Sequence, residues 1–155
     1  MSNLKKQHQG GFLIAKIHQL SGRIFSRLLK ESKITEINPA QGRILFVLWR
    51  MDGIFIQELA KQTSLGKSTL TSMLDRLERT GFIKREHSKE DRRKILIFRT
   101  DKDKSFQDLY LKVSQKMTEI YYANFLEEEI AQFEKYLIRI LANLKNEKLN
   151  SRLFY

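Results

Sequence analysis

The stretch from Ile54 to Thr100 decides the fold. Phe55-Ile56-Gln57-Glu58-Leu59-Ala60 is a short apolar segment, and Gln62-Thr63-Ser64-Leu65-Gly66 is a polar turn after it. Ser68-Thr69-Leu70-Thr71-Ser72-Met73-Leu74-Asp75-Arg76-Leu77-Glu78-Arg79 is a second apolar-periodic segment, stopped by Gly81 and followed by a basic run from Phe82 to Thr100. Leu70, Met73, Leu74 and Leu77 fall at i, i+3, i+4 and i+7, one apolar face of a helical period. Gly66 suits the N-cap of this helix, and Gly81 suits the left-handed position that ends one. The opposite face near the helix start carries Lys67, Ser68, Thr69, Thr71 and Ser72, which are small, polar or basic and can approach a groove closely.

Two short helices joined by a turn containing Gly form a helix-turn-helix, whose second helix enters a DNA major groove by its N-terminal residues. Two ordinary core helices would have the same pattern, so the segment after them carries weight. Phe82-Ile83-Lys84-Arg85-Glu86 alternates, and Ile95-Leu96-Ile97-Phe98 is a second β-type run. Between them, His87-Ser88-Lys89-Glu90-Asp91-Arg92-Arg93-Lys94 makes a basic tip. Cations crowded on a hairpin tip are either fully solvated or face a polyanion. A helix-turn-helix with such a hairpin is a winged helix; a plain solvated loop is the alternative.

Several short stretches resemble one family in their order and spacing, the multiple antibiotic resistance regulators (MarR). They are Ile37-Asn38-Pro39-Ala40-Gln41-Gly42-Arg43-Ile44-Leu45, Glu58-Leu59-Ala60, Ser68-Thr69-Leu70-Thr71 through Asp75-Arg76-Leu77-Glu78, Gly81-Phe82-Ile83 and Asp91-Arg92-Arg93. The resemblance is close from Ile37 to Thr100 and holds by pattern in the flanking helices. The expected fold is mainly α with a small β-hairpin wing: a winged helix-turn-helix lobe at 37–100 plus dimerisation helices at 12–31 and 101–147, in a single domain of 1–155. The resemblance implies that Asp91 orients Arg93 and that Arg93 inserts into a minor groove. Arg92 stands at the variable middle position with phosphate in reach, and Lys94 completes the basic tip. Arg76 lies further along the helix, where phosphate or an internal ion pair with Asp75 or Glu78 would take it.

Composition bounds the alternatives. The chain has 155 residues, a formal net charge of +11 and no Cys. That length makes one domain the first expectation and buries enough surface to need no staple. The charge favours a polyanionic partner, and the absence of Cys removes disulfides, thiolate metal sites and thiol redox switching. His8, His18 and His87 are too far apart in sequence for a metal motif. No apolar run approaches the ~20 residues of a membrane span, and Met1 to Gly11 reads as a mobile basic leader without an apolar signal core. The expectation is a cytoplasmic protein with no membrane partner and no cofactor. Gly66-Lys67-Ser68-Thr69 matches the end of a phosphate-binding loop, but the Gly needed five residues earlier is Lys61. No catalytic constellation stands out, so an enzyme is not expected.

Outside the organising stretch, Ile14, Ile17, Ser21, Ile24 and Leu28 line a first helix from Phe12 to about Glu31, widened by Leu13, Leu20, Phe25 and Leu29. Asn38 and Pro39 start a second helix, running to about Met51. After the wing, Asp101 is the expected cap of a long helix that breaks or bends near Leu126 at Glu127-Glu128-Glu129. A last helix carries Ile130, Phe133, Leu137, Ile140, Leu141 and Leu144, and Asn146 to Tyr155 reads as a polar tail with apolar final residues. Small winged domains do not need this extra apolar surface, and dimerisation would use it.

The function expected is that of a homodimeric, sequence-specific DNA-binding transcriptional regulator, a ligand-responsive repressor. Its partners would be double-stranded DNA with an inverted-repeat operator, a second copy of the chain and a small lipophilic or aromatic effector. The resemblance implies an effector pocket between the dimer helices and the DNA-binding lobe. His18, Phe25, Arg43, Phe46 and Tyr110 are its candidate lining; core packing is the other reading of those residues. The competing function is a non-catalytic basic interaction protein that binds DNA without sequence preference, or another acidic partner.

Overall fold

The computed structural model describes residues 7–152, and the side chains of 7–149. The elements are α1 (Gly10–Glu31), α2 (Pro39–Arg50), β1 (Ile54–Phe55), α3 (Ile56–Thr63), α4 (Lys67–Arg79), β2 (Ile83–His87), β3 (Ile95–Arg99), α5 (Asp101–Tyr121) and α6 (Glu127–Arg152). They fall into two compact units, one ending at Met117 and one beginning at Thr118.

In the first unit, local chemistry starts and stops the helices. Asn38 and Gln41 form a reciprocal capping box on α2: the Asn38 side chain accepts from the Gln41 N–H at 2.8 Å, and the Gln41 side chain accepts from the Asn38 N–H at 3.0 Å. Gly81 takes φ +84°, and the N–H groups of Gly81 and Phe82 close back on the Glu78 and Leu77 carbonyls. That Schellman pattern turns the chain from α4 into the hairpin. The same closure ends α1 with Lys33 at φ 60°, where no Gly advertises it. Between α3 and α4, Ser64 rather than Gly66 is left-handed, at φ 55°.

The sheet is three-stranded and antiparallel in the order β1-β3-β2. Ile97 of β3 stands opposite Ile54 of β1 and Arg85 of β2. The sequence gives no sign of β1, because two residues carry no readable period. Ile54, Ile83 and Ile97 are buried, as are Leu59 of α3 and Leu70, Leu74 and Leu77 of α4. Each fully buried Leu of α4 contributes about 1.5–3 kcal/mol relative to exposure. Core packing therefore fixes the rotation of α4 and leaves its polar start outward.

Three sequence expectations change at element ends. α1 begins at Gly10, so Gly10 and Gly11 are helical rather than part of a leader; Met1 to Lys6 lie outside the described residues. The residue preceding α5 is Thr100, whose hydroxyl accepts from the Asp103 N–H at 3.3 Å, so Thr100 rather than Asp101 is the cap. α6 runs on through Arg152 instead of giving way to a tail at Asn146, while Leu153, Phe154 and Tyr155 lie outside the described residues.

In the second unit, Glu127, Glu128 and Glu129 make the first turn of α6, where carboxylates meet the positive end of the helix dipole. Glu129 also accepts from the Leu126 N–H at 2.9 Å. The break in the chain precedes the acidic run, with Asn124 at φ 66°. No helix among the described residues is long and apolar enough to cross a membrane.

Candidate nucleic-acid interface

The start of α4 is an open polar surface. Lys67, Ser68, Thr69 and Ser72 are exposed, and Thr71 is half-buried. Gly66 caps the helix with extended backbone and no side-chain hydrogen bond, so the first N–H groups of α4 face outward with their partial positive charge. The Thr71 hydroxyl donates to the Lys67 carbonyl at 2.8 Å. It therefore presents a methyl group and acceptor lone pairs rather than a free proton.

Arg76 is exposed, and the acidic partners considered for it are engaged elsewhere. Arg85 of β2 pairs with Asp75 at 2.7 Å and Glu78 at 2.9 Å, and its backbone N–H donates to Glu78 at 3.1 Å. These hydrogen bonds hold the Glu78 carboxyl below its ordinary range and raise the Arg85 guanidinium above its own. The clamp ties the wing strand to the recognition helix and neutralises both carboxylates, leaving Arg76 and Arg79 outward on α4. Sequence reasoning does not single out Arg85 as a site residue, although a signal is present: the two-residue period puts it on the face of the buried Ile83.

The wing tip is built around Ser88 and Asp91. The buried Ser88 side chain accepts from the Glu90 N–H at 3.3 Å, and Asp91 accepts from the Arg93 N–H at 3.1 Å. The Arg93 guanidinium then returns to the same carboxylate, Nε to Oδ1 at 3.2 Å and Nη2 to Oδ2 at 3.4 Å. These bonds, led by the side-chain pair, hold the Asp91 carboxyl below its ordinary range. The Arg93 side chain remains 91% exposed and projects from the tip. Arg92 and Lys94 are exposed as well; the Arg92 carbonyl accepts from His87 Nδ1 at 2.8 Å, and the Lys94 ammonium lies 5.3 Å from the Phe55 ring centroid.

The candidate effector residues separate. Phe25 and Tyr110 meet edge to face at 5.6 Å, and Trp49 joins Tyr110 at 5.5 Å and Phe46 at 6.3 Å. Tyr110 is buried and Phe46 is 48% exposed, so this aromatic group runs from core to surface. Burial pushes the Tyr110 hydroxyl up to about 12, against a smaller downward pull from Arg43. Its oxygen lies against Gly42, where an added Cβ would come within 1.7 Å, so only Gly leaves room. Arg43 is exposed nearby in sequence on α2, and His18 is exposed on α1. Trp49 escapes a reading of the sequence because, on an apolar helix, it looks like ordinary core.

Behind the wing is a buried polar junction that the sequence does not announce. Asp103 is fully buried and accepts from Arg99 Nε at 2.6 Å and from Trp49 Nε1, with 3.1 Å to each carboxylate oxygen. Arg99 also donates to Gln107 at 2.5 Å, and its backbone N–H donates to Asp52 at 2.8 Å.

An open helix start, a hairpin keyed to that helix and a projecting arginine tip define a winged-helix surface for a nucleic acid. Comparison with known proteins places it in a family. Residues 37–95 match the MarR family. The HTH-type transcriptional regulator YfiV of Bacillus subtilis is 33% identical over 115 residues, 72% of each chain. The HTH-type transcriptional repressor YetL of the same organism is 38% identical over 80 residues, and the chain spans only 48% of YetL's length. A crystal structure of a mutant MarR from E. coli complexed with operator DNA superposes with a TM-score of 0.74 at 27% identity, covering 84% of this chain and 92% of that one. The chain belongs to the MarR family of transcriptional regulators, with a DNA-binding winged helix.

Proposed function

We propose that this chain is a homodimeric repressor that reads an inverted-repeat operator and releases it when a small aromatic or lipophilic molecule binds. The observation that carries the reading is the pairing of the outward start of α4 with a wing whose Arg93 is pre-set by Asp91. Lys67, Ser68, Thr69, Thr71 and Ser72 would meet base edges and phosphates in the major groove. Arg76, Arg92 and Lys94 would meet phosphates, and Arg93 the minor groove. Hydroxyls discriminate bases less sharply than bidentate Arg, Asn or Gln, so groove width at the wing would supply part of the specificity.

Dimerisation is supported by apolar side chains left bare: Phe12 at 67% on α1, and Ile138 at 64% and Leu144 at 63% on α6. Effector control is supported by the aromatic group of Phe25, Trp49, Phe46 and Tyr110, with Arg43 as a cation beside it for an acidic ligand. The repressor reading is supported by YetL, a transcriptional repressor, and the operator reading by the E. coli MarR complex. Such a regulator works in the cytoplasm.

The test is competition for a duplex carrying an inverted repeat, enriched by the protein from a random pool or found upstream of its gene. A dimer neutralising about eight phosphates should show log K falling with log salt at a slope of about −7. The repeat should outcompete scrambled DNA, because phosphate contacts carry no sequence information. Equal competition would favour the general basic binder that the net charge of +11 also permits. Sedimentation at micromolar concentration should give a dimer; a stable folded monomer would remove the two-fold reading.

A further inference from the structure

The buried carboxylate of Asp103 takes no part in contact with DNA, yet it gathers side chains from separate elements around the base of the wing. Resting on the proposed DNA-binding function, we propose that Asp103 is a positioning residue for the wing: through Arg99 it sets the angle at which the hairpin presents Arg93, and through Trp49 it links that angle to the aromatic group.

Arg99 is the last residue of β3, and it is held on more than one side. Its guanidinium is bound to Asp103 and Gln107 of α5, and its backbone N–H to Asp52 in the turn before β1. The next residue, Thr100, donates its hydroxyl to the Gly81 carbonyl at 2.6 Å, which joins the strand to the end of α4. Across the ladder, Arg99 stands opposite Ile83 at the foot of β2. The foot of the hairpin is thus pinned to the turn before β1, to α5 and to the end of α4, while Arg92 and Arg93 at the tip stand exposed.

β1 pairs with β3 only as far as Leu96, so the hairpin is a two-stranded arm beyond that point, and this arm amplifies changes carried up β3 from its foot. Strands rise about 3.3 Å per residue, so the tip lies roughly 10 Å beyond Leu96, and a tilt of about 5° moves it by about 1 Å. That is enough to lose a groove contact. A buried ion pair is a costly way to gain stability, since apolar residues of similar volume often do as well. What it supplies that apolar packing does not is direction: the charged hydrogen bonds fix the Arg99 plane. Trp49 Nε1 donates to the same carboxylate, and its ring packs on Tyr110. A ligand that shifts Trp49 would act on the wing through Asp103.

The experiment is a double-mutant cycle on DNA affinity, using the duplex enriched by the wild-type protein from a random-sequence pool. Asp103→Asn is measured alone, with Arg93→Ala, and with Lys67→Ala. Arg99→Met together with Asp103→Leu is run in parallel; it leaves no lone buried ion if Asp103→Asn fails to fold. Circular dichroism establishes folding in each case. The expected result is an affinity loss of about 5- to 30-fold in the wild-type and Lys67→Ala backgrounds that largely disappears in the Arg93→Ala background. Trp49 is the only tryptophan, so its emission should change on DNA binding in the wild type and lose that change when Asp103 is replaced. Equal losses in both backgrounds, or folded variants that bind as the wild type does, would overturn the proposal and leave the DNA reading standing. A wild-type chain that enriches no duplex overturns the DNA reading itself, and this proposal with it.

Discussion

The wing carries the same chemical pair at its two ends. At the tip, Arg93 reaches Asp91 at 3.2 Å with its side chain 91% exposed. At the foot, Arg99 reaches Asp103 at 2.6 Å with side chains 13% and 0% exposed. The arginine of the tip pair stands in water and Asp91 is partly exposed, so the attraction is screened and adds little to folding. Its effect is to hold one conformer of an arginine that remains available. The foot pair has lost its water, and each partner depends on the other. One hairpin thus uses a single ion-pair chemistry for availability at one end and for rigidity at the other, and the difference is solvent.

The most severe way to break this contrast is at the foot. Asp103→Asn should cost about 3–5 kcal/mol, because it leaves the Arg99 charge buried without its counter-ion. Urea unfolding followed by fluorescence measures it, and a cost under about 1 kcal/mol would place the foot pair in the same class as the tip.

A somewhat smaller effect comes from alkaline pH. The Tyr110 hydroxyl, next to Trp49, is raised to about 12 from the ordinary 10 by burial. With the folded value above the unfolded one, the contribution is complete below pH 10 and is lost as pH rises through 12. The loss should reach about 2–3 kcal/mol at the top of that window. Urea unfolding at a series of pH values, compared with Tyr110→Phe, should show a steeper decline in the wild type. Matching declines would mean that the ring is solvated.

The smallest stability effect belongs to the tip. Arg93→Ala should leave unfolding free energy within about 0.5 kcal/mol of wild type, as expected for an exposed site, while weakening DNA binding roughly tenfold. If Arg92→Ala weakens binding and Arg93→Ala does not, the contact belongs to the middle position of Asp91-Arg92-Arg93.

Separation along the chain divides the legible features from the hidden ones. Capping of α2 by Asn38, the apolar stripe of Leu70, Leu74 and Leu77, the left-handed Gly81 and the alternation of both wing strands all depend on residues within a few positions of one another. The Asp91–Arg93 contact spans two positions as well, but it is legible through the family resemblance rather than through period or turn chemistry. Local features without their usual residue are not: Lys33 and Ser64 are left-handed where Gly would be expected, and β1 is too short to show a period.

The sequence by itself determined the helix-turn-helix, the basic hairpin and the residues that face outward from both, because those depend on local periodicity and turn chemistry. Only the tertiary structure decided which charges pair between elements and which of those pairs is interior. Asp75 and Glu78 look like partners for Arg76 on their own helix, yet a strand arginine takes both. Asp103 looks like a solvated residue in the first turn of a helix, yet Trp49, distant by 54 positions, donates to it in the core. An ion pair between elements is set by how those elements pack, and the desolvation that gives it its strength exists only once they have packed.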